Sequence, residues 1–144
     1  MSRIKYTLED IKSLTRKFNE VKKAGADMIR ELKEVIHEKS EIITLIDSLE
    51  RKLQLRFFDL LFTVQIEINS TKIDSAIGLL RTYLEDGSAP IPLDNMEFTF
   101  DDGGNIQLKD DLYILTTEVF PYYFLSKLTD YILSQRIVIR PLAS

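Results

Sequence analysis

Apolar residues recur with a seven-residue period through the first third of the chain, and this period is the strongest constraint on its fold. Two positions of each repeat are apolar from Ile11 to Leu53, and only Gly25 and Lys39 interrupt them. A 3,4 spacing kept over about six repeats is typical of a helix that pairs with another helix along a narrow stripe. The stripe, called the seam below, consists of Ile11, Leu14, Phe18, Val21, Met28, Leu32, Val35, Ile42, Ile46, Leu49 and Leu53. Because one helix cannot bury such a stripe alone, the seam predicts packing against a second helix, in this chain or in a partner.

The start of this helix and two breaks within it can be located from single residues. Thr7 is a good N-cap, and Asp10 lies where a capping-box acid belongs. A hinge at residues 24–27 or at 37–40 would fold the helix back on itself, since the first contains Gly25 and the second is the most polar stretch. A continuous rod would instead form a coiled-coil dimer. The hairpin, and with it a monomer, is favoured because Gly25 at a seam position weakens a continuous coiled coil.

Residues 57–144 predict a compact head. Apolar side chains cover nearly every helical face between Phe57 and Ile68, which indicates a helix buried on all sides. Met96–Phe100 alternates like a strand, 101–105 is a turn, and Ile106–Leu108 is a short return strand. The rest as far as Gln135 is expected to be mostly helical, and residues 136–141 are expected to be extended. The predicted fold class is therefore mainly α: a coiled-coil-like helical rod or hairpin over residues 1–56, and a compact helical head over 57–144 with one small β-hairpin at about 96–108.

The charges are divided unevenly between the two segments. Residues 1–56 carry thirteen Lys/Arg against ten Asp/Glu, a net +3, whereas residues 57–144 carry six against thirteen, a net −7. The candidate acidic patch consists of Glu85, Asp86, Asp94, Glu97, Asp101 and Asp102. The candidate basic N-terminal surface consists of Lys12, Arg16, Lys17, Lys22 and Lys23. Such a division favours oriented binding to a charged partner, and the alternative is a solvated surface that keeps the protein in solution.

The residues that carry most enzyme chemistry are scarce. The chain has no cysteine and one histidine, His37, which lies among charged residues. Thiolate chemistry is thereby excluded, and zinc sites or Ser–His arrangements very nearly so. No phosphate-binding glycine loop occurs. We therefore expect a protein that is not an enzyme, with no catalytic, cofactor-binding or metal-binding residues and no cofactor.

Composition also bears on location. No run of about 18 apolar residues predicts a transmembrane helix, and the N-terminus has no apolar stretch typical of a signal peptide. The absence of cysteine fits a cytoplasmic protein, in a host cell if the protein is viral. No membrane association is expected.

Three functional classes remain open. The first is a regulator or inhibitor that docks on a larger machine. The second is a structural or assembly subunit, such as a helical coat protein or a component of a coiled-coil complex. The third is a nucleic-acid binder that uses the basic N-terminal surface, and the sequence pI of about 5.1 disfavours direct binding of this kind.

A chain that is free of cysteine, contains 17 isoleucines, and has heptads at 11–53 before a compact head resembles the small helical proteins of archaeal viruses. That group includes helical coat proteins and an inhibitor of the host RNA polymerase. The resemblance covers layout and composition across most of the chain and includes no signature motif. It implies a virus- or mobile-element-encoded regulator that binds a nucleic-acid machine such as RNA polymerase and blocks its nucleic-acid channel.

Overall fold

The computed structural model describes residues 5–39, 43–49, 52–73, 75–109, 111 and 113–134, which form a two-layer α/β structure. In chain order the elements are α1 (Leu8–Glu38), β1 (Ile43–Leu49), β2 (Lys52–Phe57), β3 (Leu60–Lys72), β4 (Ser75–Glu85), β5 (Ile91–Pro92), a 3₁₀ helix (Asp94–Met96), β6 (Phe98–Phe100), β7 (Ile106–Leu108), β8 (Ile114–Leu115) and α2 (Phe120–Ser134).

One antiparallel sheet contains all eight described strands. Its order is β1-β2-β3-β4-β6-β7-β8, and β5 pairs with the end of β4. The long β3–β4 hairpin is its centre, with a register that runs from Leu61 opposite Glu85 to Asn69 opposite Ile77. β6 pairs with the other side of β4 and places Phe100 opposite Gly78. The sheet is therefore a meander in which almost every strand pairs with its neighbour in sequence.

Both helices pack on the same face of this sheet. α1 contributes a buried stripe that includes Met28 and Leu32, both with no exposed surface. α2 contributes Phe120, whose ring meets that of Phe98 edge-on at 5.1 Å between centroids. Inward side chains from β2, β3, β4, β6 and β7 complete a single core. The other face of the sheet carries neither helix.

The expected mainly α, or all-α, fold is wrong, because the sheet supplies as much of the core as the helices do. The coiled-coil rod is wrong for the same reason. Where α1 carries the seam, Val21, Met28 and Leu32 face the common core that helices and sheet share, and Val35 is also buried. Ile46 and Leu49 lie in β1 and Leu53 lies in β2. The buried stripe of α1 therefore packs on a sheet. The residues of the seam that follow α1 belong to strands and do not continue that stripe.

The remaining seam residues are dispersed. Ile11 is exposed, Leu14 and Phe18 are half-buried, and Ile42 lies outside the described residues. The predicted boundary after Arg56 falls inside β2, where Leu55 and Phe57 on either side of it are buried in the same core. The hairpin predicted at about 96–108 is formed by β6 and β7, as two strands of the large sheet.

The cap predicted at the start of α1 is confirmed. The Thr7 hydroxyl accepts a hydrogen bond from the Asp10 amide at 3.1 Å, and the Asp10 carboxylate accepts one from the Thr7 amide at 3.0 Å. Both bonds satisfy amides that a helix start leaves without partners. The predicted hinge at 24–27 is wrong, since α1 is continuous there, and the helix ends at Glu38, within the second candidate break.

Gly25 allows a close approach between layers and does not end a helix. A Cβ at this position would lie 3.0 Å from the Phe100 ring and 3.1 Å from Ile66. Gly78 on β4 is tighter still, since a Cβ there would lie 2.1 Å from the same ring. The Phe100 ring is therefore held between the backbone of α1 and that of β4, and both positions lack a side chain for this reason.

Two buried threonines differ in how their hydroxyls are satisfied, and they predict stability changes of opposite sign. Thr82 Oγ1 is buried with no hydrogen-bond partner among the described residues, whereas Thr63 Oγ1 donates to Glu85 and accepts from Gln54. A buried hydroxyl without a partner costs about 1–3 kcal/mol. Thr82→Val should therefore raise the free energy of unfolding by about 1 kcal/mol, and Thr63→Val should lower it by a similar amount. Urea titration of both variants checks this, and a loss of stability in Thr82→Val would contradict it.

Candidate functional site: the open face of the sheet

The face of the sheet opposite the helices carries ordered polar networks, and we call it the open face. Strand alternation brings to it every second residue of the central strands. Its members on β2, β3 and β4 are Gln54, Arg56, Leu61, Thr63, Gln65, Glu67, Ile77, Leu79, Arg81, Tyr83 and Glu85, and Glu97 and Thr99 extend it along β6. Because the sheet is rigid and fully paired here, these side chains keep fixed spacings.

Arg81 lies at the centre of an ionic network on the open face. Its Nη1 lies 3.1 Å from Glu67 Oε2, and its Nε lies 3.4 Å from Glu97 Oε1. Glu97 also lies 3.6 Å from Lys109 Nζ. The Glu67 carboxylate is the main cause that raises the pKa of Arg81 above its usual value. These contacts join β3, β4 and the residue that precedes β6. Half-exposed ion pairs of this kind contribute little to stability.

A second polar network lies beside the first, where β2, β3 and β4 meet. Thr63 Oγ1 donates to Glu85 Oε1 at 2.8 Å and accepts from Gln54 Nε2 at 3.3 Å. Thr63 is only 2% exposed although it faces away from the core, and Tyr83 is the residue directly opposite it. The network therefore holds the Glu85 carboxylate in place at one end of the open face.

Apolar side chains lie between and beside these networks. Ile77 is 50% exposed at one end of β4. Leu79 and Tyr83 follow at alternate positions, and Leu61 is opposite Glu85. A surface with apolar positions framed by fixed polar groups has the composition of a protein-binding surface. The two ordered side-chain networks, around Arg81 and around Thr63, favour a binding surface over a surface that only contacts solvent.

The candidate acidic patch is not gathered in one place. Glu85 and Asp86 lie at one end of β4, whereas Asp101 and Asp102 lie in the turn after Phe100, opposite Gly78. Since a strand rises about 3.3 Å per residue, these two groups are roughly 25 Å apart. Asp94 is exposed at the start of the 3₁₀ helix. The carboxylates therefore border the sheet at both ends of its strands.

Several of these acids have local structural partners. Asp101 accepts hydrogen bonds from the amides of Gly103 and Asn105 and from the Asn105 side chain, which closes the β6–β7 turn. Hydrogen bonds from Ser88 lower the pKa of Asp86 below its usual value. Asp102 is exposed at the tip of the turn. Asp94, Asp102 and Asp86 remain the acids most accessible to a partner.

The candidate basic surface lies on the first half of α1, among acids. At 100° per residue, Lys12, Arg16 and Lys23 share one side of the helix. The same side carries Glu9, which pairs with Lys12 at 3.6 Å, and Glu20. Lys17 and Lys22 are half-buried on other sides of the helix. Carboxylates thus lie among the cations. The positive electrostatic potential of this surface is therefore weaker than the count of basic residues indicates.

The open face escaped prediction because its strands were interpreted as helix, yet a signal for it exists. Phe62, Val64, Ile66 and Ile68 alternate with Thr63, Gln65, Glu67 and Asn69 without exception. Strict alternation over eight residues is the pattern of a strand with one buried face. The polar members of that alternation are the ones that line the open face.

The described residues contain no group of three or more His, Cys, Asp or Glu side chains placed to hold a metal ion. No described helix is long and apolar enough to cross a membrane. His37 lies exposed near the end of α1. Compared with protein-family models, with curated proteins and with solved structures, the chain matches none of them.

Proposed function

We propose that this protein is a non-enzymatic interaction protein that binds a protein partner through the open face. The observation that carries the proposal is the one-sided architecture: both helices cover one face of an eight-stranded sheet, and the other face carries ordered polar networks, the exposed Ile77 and the half-buried Leu61, Leu79 and Tyr83. Ile77, Leu79 and Tyr83 would supply the apolar contacts. Arg81, held by two carboxylates, would supply directional hydrogen bonds.

A protein partner is favoured over nucleic acid by the scarcity of aromatic residues on this face. Sheet surfaces that bind single-stranded nucleic acid combine aromatic rings for stacking with cations for phosphate. Here Tyr83 is the sole aromatic residue among the members of the open face. The charges are balanced, since Lys52, Arg56 and Arg81 are matched by Glu67, Glu85 and Glu97, so the face lacks the excess of cations that phosphate binding needs. The nucleic-acid alternative therefore has less support.

The proposed partner class is a nucleic-acid-handling machine such as RNA polymerase, whose activity the protein would regulate by occupying its nucleic-acid channel. The exposed acids at both ends of the sheet support this form. Acids placed at both ends of the sheet would be attracted to a channel lined with basic residues. A helical coat protein is no longer proposed, since the coiled-coil rod that supported it is not formed.

Site-specific photo-crosslinking tests the proposed surface. A photoreactive amino acid would replace Ile77 on the open face or, as a matched control, Leu133 on α2, which is 71% exposed. In lysate of the organism that encodes the chain, we expect a defined protein adduct from position 77 and none from position 133. Ile77→Lys should also weaken capture of the same protein. Adducts from position 133 alone, or equal adducts from both positions, would contradict the proposal.

The proposal that the partner is RNA polymerase has its own test. Purified RNA polymerase from the same organism would transcribe a defined template with and without the protein. We expect less transcript with the parent protein and a smaller decrease with Ile77→Lys. If the parent protein leaves transcription unchanged while position 77 still crosslinks a different protein, the polymerase is excluded and the interaction surface stands.

A further inference from the structure

A groove separates the end of α1 from the edge of the sheet. It has a volume of about 500 Å³ and is lined by Arg30, Lys33, Glu34, His37, Glu38 and Leu45. Leu45 is 37% exposed and its neighbour Ile46 is 47% exposed. Leu45 is the apolar residue of this lining, and Ile46 is exposed beside the groove on the same strand. Apolar residues bordered by charged ones are typical of interfaces between proteins.

The strand that forms one wall of the groove has a free side. β1 is the outermost strand, and among the described residues it pairs only with β2. It contains neither Lys nor Pro, which commonly protect an exposed edge, although the register shifts by a bulge between Leu45 and Asp47. A strand added there would extend the sheet, which is a common way for proteins to bind extended segments.

The charges on the rim are arranged so that the surface complements itself. Along α1 the cations Arg30 and Lys33 precede the acids Glu34 and Glu38. Lys33, Glu34 and Glu38 form no ion pair among the residues that the structure describes. A twofold axis between Lys33 and Glu34 would reverse the order in a second copy. Lys33 would then face Glu34, and Arg30 would lie level with His37, one residue from Glu38.

We propose that a second copy of this chain docks here. The two α1 helices lie antiparallel about a twofold axis, with Lys33 of each copy against Glu34 of the other and Arg30 near Glu38. Leu45 and Ile46 of both copies are buried at the centre, and the two β1 strands meet edge to edge. Such an isologous contact closes on itself and leaves the open face of each copy available.

Charge exchange at the twofold axis tests this arrangement in the full-length protein. Sedimentation equilibrium of the parent protein should give a species of twice the 16.7 kDa chain mass. Lys33→Glu and Glu34→Lys should each raise the dimer dissociation constant by about tenfold, because each variant places like charges together twice. The double variant Lys33→Glu/Glu34→Lys should restore the parent constant, since the pairs form again with exchanged signs. Lys12→Glu, far along the same helix, serves as the control.

Three outcomes would overturn the proposal. The first is a parent protein that is monomeric at every concentration. The second is a dimer whose dissociation constant responds to neither single variant, which would place the contact elsewhere. The third concerns the apolar segment 137–139 near the C-terminus. If Ile137→Asp weakens the dimer as much as Lys33→Glu does and the double variant fails to restore it, that segment is the occupant of the groove.

Discussion

Leu32→Asp is expected to unfold the whole protein. Leu32 is fully buried in the core that α1, α2 and the sheet share. A carboxylate placed there without a partner costs about 5 kcal/mol or more, and the total stability of a domain is only about 5–15 kcal/mol. Far-UV circular dichroism should therefore show loss of helix and strand signals together. Retention of the strand signal would show that α1 and the sheet unfold independently.

Ile11→Asp is the matched control for this change. Ile11 and Leu32 occupy the same position of the heptad repeat, so a coiled-coil seam would make both substitutions equally harmful. In the structure Ile11 is 49% exposed on the first turns of α1. We expect Ile11→Asp to change the free energy of unfolding by no more than about 0.5 kcal/mol. Equal losses in the free energy of unfolding of the two variants would instead support a coiled-coil seam.

Gly78→Ala is expected to be the most harmful exchange of a glycine for alanine. Its Cβ would lie 2.1, 2.2 and 2.5 Å from three atoms of the Phe100 ring, which is itself only 2% exposed. The ring has little room to move, because the backbone of Gly25 on α1 also lies against it, with a Cβ there at 3.0 Å from the ring. Overpacking of this kind costs about 1–3 kcal/mol, and the upper end applies here. Thermal and urea unfolding measure the loss.

A smaller side chain at position 100 should relieve that clash. Phe100→Leu alone lowers stability, since a buried ring is removed. The double variant Gly78→Ala/Phe100→Leu should lose less than the sum of the two single losses, by about 1 kcal/mol or more. Gly103→Ala is the control, because a Cβ there comes no closer than 3.4 Å to any neighbour. Additive losses would mean that Phe100 is not what Gly78 accommodates.

The sequence predicts α1 well and the sheet poorly, and the reason lies in two periods that overlap. From Thr7 to Glu38 the cap and the buried stripe belong to one element, so local signals agree with the fold. After that helix, Ile46, Leu49 and Leu53 keep the heptad spacing although they lie on strands. Apolar residues at alternate positions of a strand can also fall at positions that a helical repeat would make apolar. The strands therefore resemble a continuation of the helix.

The turns that would have separated the strands carry weak signals. β2 and β3 are joined by Phe58 and Asp59, which both have positive φ, at 52° and 62°. A two-residue hairpin turn with positive φ is usually marked by Asn-Gly or Asp-Gly, and Phe-Asp is a poor match. The structure imposes this conformation because the strands on either side are paired along their whole length.

The open face could not be predicted without the register of these strands. Arg81 meets Glu67 and Glu97, and Thr63 meets Glu85, only because pairing brings distant residues side by side. A shift of one residue would exchange the two faces of the strand and destroy both networks. The residue types alone predict a protein with few reactive groups. The pairing of the strands decides which side chains lie together on the open face.

α1 is continuous in its hydrogen bonding but uneven in its burial. No residue from Leu8 to Glu20 is fully buried, and the first that is, Val21, lies more than three turns from the cap. Amide protons in those first turns can exchange with solvent through local fraying, whereas amides after Val21 exchange only when the core opens. Hydrogen-exchange rates along this single helix thus divide it into a part that opens on its own and a part that reports the stability of the whole fold.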